Sequence, residues 1–239
     1  PGLWPGGGGS ASSVLGRGDR DRAGVRVRER LRGNADDQED EHEREEPFDQ
    51  GIAALAGGSK RVGFVGGMDI PLIHKFEAGY RAGVRHVCPD CTVVAQYAGV
   101  TPEAFRNPGR GKEIALAQYQ SGVNVIFHAS GSTGLGVFEA ARATRKYAIG
   151  VDADQWDEAP GHIMTSMVKG VDNVTYDAIA RVKAGTFRGG VYSFGLKEGG
   201  VSYVYDERNR SLIPDAVRAR VEQLRQDIID GKIKVPSTR

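Results

Sequence analysis

Cysteine is nearly absent from this 239-residue chain, which holds only Cys88 and Cys91 in one Cys-Pro-Asp-Cys run. Such a pair can be a redox motif, half of a zinc site or a local disulfide. No second CxxC and no close histidine pair completes a zinc site. The plain expectation is a loop joining a helix to the next strand, its cysteines paired or free. Histidine is thin as well: His74, His86, His128 and His162 fall in separate segments, with no ligand spacing and no nucleophile partner. An excess of charge of one sign is missing, and the net charge of +1 gives no electrostatic reason to expect nucleic acid or an acidic membrane surface as partner. No apolar run approaches the roughly 18 residues of a membrane span, and no signal-peptide pattern is present. There is no GxSxG motif. Gly131, Gly134 and Gly136 form GxxGxG rather than the dinucleotide pattern GxGxxG, and no P-loop lysine follows. A hydrolase or a dehydrogenase has little to stand on. No catalytic residue, metal or cofactor is expected.

Lysine is missing from residues 1–50, although Arg17, Arg20, Arg22, Arg26, Arg28, Arg30, Arg32 and Arg44 lie there. A Gly-Ser tract from Gly6 to Ser10 is followed by alternating Arg and Asp, then by an acidic run from Asp36 to Glu46. Apolar residues are too sparse and aperiodic to bury a core, so disorder is the expectation for 1–50. An interaction tail, or sequence from another reading frame, are the alternatives. The composition changes abruptly near Phe48, and the folded part is expected over 51–239.

Ordered patterning begins at Gly51. Val62, Phe64 and Val65 read as a buried parallel strand stopped by Gly66-Gly67. Asp69 is placed to cap a helix with Pro71 in its first turn, and Leu72, Phe76, Tyr80 and Val84 share one helical face. Further strands are expected at 92–97, 123–128, 147–151 and 163–168. Helices are expected at 112–120, 135–145 and 172–183. Val191–Leu196 and Val201–Tyr205 read as a hairpin around Lys197–Gly200. Pro214 starts a last helix with Val217, Val221, Leu224 and Ile228 on one face. Repeated strand–helix alternation predicts an α/β fold, a doubly wound parallel sheet covered on both faces.

Ligands of open α/β sheets bind beyond the carboxyl ends of the strands. Four such ends can be read: Gly66–Asp69, Ala129–Gly131, Asp152 and Lys169. They offer backbone N–H groups, one hydroxyl, carboxylates and an ammonium, a mixture suited to a polyol such as ribose. Phe76 is the aromatic that could lie against a flat base, and core packing is the competing role. Asp152 could instead cap the turn that follows it.

Four blocks, GFVGGMDIPLIHKFEAGYRAGV, FHASGSTGLGVFEAA, AIGVDADQ and TSMVKGVDNVTYDAI, resemble the signature blocks of the basic membrane protein (PnrA-like) family over residues 60–239. The resemblance implies a type I periplasmic-binding-protein fold: two Rossmann-like lobes, a hinge and a purine nucleoside in the cleft. It implies a non-enzymatic lipoprotein of the cell envelope that hands its ligand to an ABC permease with its ATPase. The lipid anchor is absent from this chain. It also implies that Phe76 stacks on the base, that Gly131 approaches the ribose, that Asp152 holds the ribose hydroxyls and that Lys169 faces the ribose. The alternative is a ligand-sensing regulatory or receptor module on the same fold. By the same resemblance the chain corresponds to the second lobe plus returning segments of the first, the hairpin and the last helix, without the sheet those segments normally pack on.

Overall fold

The structure, a computed structural model, describes residues 51–236. The expectations for residues 1–50 lie outside the described residues. A short helix α1 (Gly51–Ala56) leads into strand β1 (Arg61–Met68), helix α2 (Pro71–Val87) and strand β2 (Thr92–Gly99). Helix α3 (Pro108–Gln120), strand β3 (Val125–Ala129), helix α4 (Gly134–Thr144), strand β4 (Tyr147–Gly150) and strand β5 (Ile163–Lys169) follow. Helix α5 (Val171–Lys183), strand β6 (Val201–Tyr203) and helix α6 (Asp215–Ile229) complete the order. The six strands form one sheet in the order β2-β1-β3-β4-β5-β6. The first five are parallel and β6 runs antiparallel to β5.

Alternation along the strands feeds two cores. Phe64, Val125, Phe127 and Ile149 pack with Ile52, Phe76, Tyr80, Val84 and Val221 on one face. Val65, Ile126 and Ala148 pack with Ile114, Tyr119, Val137 and Phe138 on the other. The expected strand–helix alternation is therefore realised, with both faces of the parallel sheet covered.

Four details differ from the sequence expectation. The glycine pair does not stop β1, which runs through to Met68. A Cβ on Gly66 would lie 2.5 Å from the Tyr97 ring, and one on Gly67 would lie 2.3 Å from the Phe105 ring, so aromatic rings occupy the space of two missing side chains. Asp69 does not cap α2. Ile70 holds the N-cap position without a side-chain bond, while the Asp69 carboxylate pairs with His74 Nε2. Pro71 does open the helix. Of the expected apolar stripe on α2, Phe76, Tyr80 and Val84 are buried and Leu72 is exposed.

The hairpin does not form. Val201–Tyr203 pairs with Met167–Lys169 instead, because joining the edge of an existing sheet satisfies its backbone better than a lone two-stranded ribbon would. Lys197–Gly200 remains a turn, closed by the Gly200 N–H donating to the Gly195 carbonyl at 2.8 Å. Strand β6 belongs to this sheet, and α6 buries Val221 and Leu224. Helix α5 buries no residue, and its Tyr176, Ile179 and Val182 are exposed. Cys88 and Cys91 are joined by a disulfide in the loop between α2 and β2.

Candidate functional site

Parallel strands deliver their carboxyl ends to one edge of the sheet, and the loops after them gather around a cavity of about 260 Å³. Leu72, Ile73 and Phe76 of α2 line it together with Phe105. Ala129–Gly131 after β3, Val151–Asp152 after β4 and Lys169 at the end of β5 complete the lining. All four residues singled out in the sequence, Phe76, Gly131, Asp152 and Lys169, border this single cavity.

Lys169 links two of the others. Its Nζ lies 3.1 Å from Asp152 Oδ1 and 4.8 Å from the centroid of the Phe76 ring. Its backbone N–H donates to the Asp152 carbonyl at 3.0 Å, which fixes the two strand ends side by side. The Asp152 and Lys169 side chains are 61% and 40% exposed, so this is a solvent-facing pair, able to exchange one hydrogen-bonding partner for another. Phe76 is only 4% exposed and belongs to the apolar cluster, so the core role is real. What remains of its ring faces the cavity beneath the Lys169 ammonium.

Asp152 sits in left-handed backbone, φ 70°, a conformation that asparagine and aspartate tolerate better than other non-glycine residues. It does not cap the following turn. Asp154 does that, accepting the Trp156 N–H at 3.0 Å. Gly131 also has positive φ, 55°, and a Cβ there would lie 3.0 Å from the Phe105 carbonyl oxygen. Glycine is thus required at this strand end both by conformation and by close approach.

The expected hydroxyl is not on offer. Ser130 is fully buried and its Oγ lies 3.3 Å from His128 Nδ1. Phe105 escaped the sequence argument. It ends a 3-10 turn, Pro102–Phe105, that is pinned to the turn after β3. Ser132 Oγ donates to the Phe105 carbonyl at 3.0 Å, and Thr133 Oγ1 donates to the Ala104 carbonyl at 2.7 Å. The available signal was an aromatic just past the end of β2, opposite a glycine that could accept its ring.

The model of the family described as ABC transporter substrate-binding protein PnrA-like matches residues 46–239. The chain belongs to this family. The CD4+ T-cell-stimulating antigen of Listeria monocytogenes is 40% identical over 202 residues, covering 77% of this chain and 55% of that protein. The ABC transporter nucleoside-binding protein BmpA of Lactococcus lactis is 38% identical over 203 residues, with the same coverage of 77% and 55%. A crystal structure titled as ABC transporter system solute-binding proteins from Aeropyrum pernix superposes with a TM-score of 0.65 at 31% identity, covering 79% of this chain and 63% of that one. This Bmp-family chain therefore spans about half the length of the curated relatives it matches. Its fold is that of the type I periplasmic solute-binding proteins. Among the described residues no helix is long and apolar enough to cross a membrane.

Proposed function

We propose that this chain supplies one wall of a purine nucleoside site in an ABC importer's substrate-binding protein, and that it holds its ligand without transforming it. Its partners are a permease with its ATPase, and it works in the cell envelope, outside the cytoplasmic membrane. The observation that carries this is the meeting of Phe76, Gly131, Asp152 and Lys169 around one cavity. A carboxylate and an ammonium 3.1 Å apart present an acceptor and a donor at the spacing two vicinal hydroxyls can bridge. The Lactococcus relative carries nucleoside binding in its name, which supports the same ligand class.

The mechanism is exchange rather than insertion. Lys169 is satisfied by Asp152 and by the face of Phe76. Ribose hydroxyls replace the first contact, and a base can lie on Phe76 only after the ammonium moves off the ring. The test is amide NMR of the full chain titrated with inosine, guanosine and adenosine to millimolar concentration. Shifts are expected at Gly131, Asp152 and Lys169, and Asp152→Asn should weaken them by about tenfold in affinity. Absence of shifts at these residues, or an undiminished response in the Asp152→Asn chain, would refute the proposal.

A further inference from the structure

His128 is a buried polar side chain bonded to Ser130, which lines the cavity. It lies in β3, fully buried, one residue before Ala129, with its ring edge-on to Phe138 at 4.9 Å between centroids. Both ring nitrogens have partners. Nε2 is 3.1 Å from Gln155 Oε1, and Nδ1 is 3.3 Å from Ser130 Oγ. Gln155 Oε1 also accepts the Val151 N–H at 2.8 Å, while the Gln155 backbone N–H donates to Ser166 Oγ at 3.1 Å.

These contacts fix the protons. Val151 N–H is a donor, so the Gln155 atom facing it is the amide oxygen and not the amide nitrogen. An oxygen that only accepts requires Nε2 to carry hydrogen. In a neutral ring Nδ1 is then an acceptor, and the Ser130 hydroxyl must donate to it. Burial keeps the ring neutral by holding its pKa down to about 4, against the weaker upward pull of the Gln155 bond and the Asp152 charge.

The chain of bonds has two ends. One is Ser130, the residue before Gly131. The other is Val151, the residue before Asp152. Gly150 is part of the same packing, since a Cβ there would meet Ser166 Oγ at 2.5 Å and Gln155 Oε1 at 2.8 Å. The two strand ends with left-handed backbone at the cavity, Gly131 and Asp152, are thus cross-linked through one imidazole.

We infer that His128, acting through Ser130 and Gln155, is a positioning residue that sets the spacing between the Gly131 backbone and the Asp152 carboxylate, and so the site's preference for a ligand with a vicinal diol. The inference rests on the nucleoside reading for its ligand class, and its geometry can be tested apart from it.

The experiment uses the full chain with 15N-labelled histidine. In the parent protein the His128 ring is expected as the neutral Nε2–H tautomer. Gln155→Leu, at a half-buried position, removes the shared oxygen. It should disturb the His128 ring and shift the amides of both Gly131 and Asp152. Gln155→Glu keeps an accepting oxygen and should restore both amides. An Nδ1–H ring in the parent, or a Gly131 amide indifferent to Gln155→Leu, overturns the cross-link whether or not any nucleoside binds. In the ligand arm, Gln155→Leu should lower inosine affinity about tenfold and carry the inosine to 2′-deoxyinosine ratio toward one. Its effect should be lost in an Asp152→Asn background, since two residues acting through one carboxylate are not additive. An unchanged ratio, or full additivity, refutes positioning through Asp152. If the tautomer and amides behave as expected and no ribonucleoside binds, the nucleoside reading fails and the cross-link stands.

Discussion

A neutral imidazole sealed inside the sheet makes stability depend on pH. His128 has its pKa pushed down to about 4 by burial, while in the unfolded chain it returns to about 6.5. Between those values the unfolded chain binds a proton that the folded chain refuses, so stability rises with pH across that window and is lost as pH falls through it. The loss between pH 7 and pH 5 should be about 2 kcal/mol. Urea unfolding at pH 7, 6 and 5 would read it, and His128→Phe should flatten the slope even if it lowers stability at every pH. Asp152, Gly131 and Lys169 were legible in the sequence because each stands at or just beyond the carboxyl end of a buried strand, which fixes its place at the sheet edge. Phe76 was legible as an aromatic on a helix face, but not its position beneath an ammonium. Gln155 and Phe105 act through contacts to segments distant in sequence, Gln155 to His128 and Phe105 to Ser132. Neither periodicity nor spacing carries that information.

Helix α2 shows how far an element can separate two functions. Phe76 lies in its second turn and Cys88 caps its far end. Its 17 residues span about 25 Å at 1.5 Å each. The disulfide closes a loop of only four residues, 88–91, so its effect on the unfolded chain is modest, about 2 kcal/mol on the chain-entropy account. Replacing both cysteines by serine should lower stability by about that amount in denaturant unfolding. The amides of Gly131, Asp152 and Lys169 should not move. Shifts at those residues would show that the loop supports the site. At this scale the five parallel strands and most helices were readable, because each buries a characteristic apolar pattern. The hairpin was misread for a physical reason. Val191–Leu196 and Val201–Tyr205 have strand composition and a turn between them, yet Val201–Tyr203 pairs with the edge of the sheet at β5 and Val191 and Tyr192 stay exposed. Strand propensity says that a segment can pair, while the sheet decides with what.

Taken whole, the described molecule covers both faces of its sheet and holds its cavity at the carboxyl edge. The volume of about 260 Å³ falls just short of the roughly 300–1,000 Å³ usual for small-molecule sites. Asp152 and Lys169 stand well exposed to water, where each bond to a ribose hydroxyl replaces a bond to solvent and returns little net free energy. Burying a base between two aromatic faces would supply the missing term, and here the cavity is lined by Phe76 and by Phe105, whose ring packs over Gly67. The relatives are almost twice as long as the stretch they share with this chain, and α5 presents Tyr176, Ile179 and Val182 to solvent with no described residue covering them. The same features that place the site therefore limit its affinity. Calorimetry with inosine should give a dissociation constant in the millimolar range for this chain. The Lactococcus relative, over its full length, should bind at least about a hundredfold more tightly, a difference of about 2.7 kcal/mol. Enclosure is the proposed source of that difference, so it should shrink for ribose alone, which has no base to bury. A micromolar constant for this chain with inosine would show instead that one wall suffices, and that the Asp152–Lys169 pair contributes more than its exposure allows.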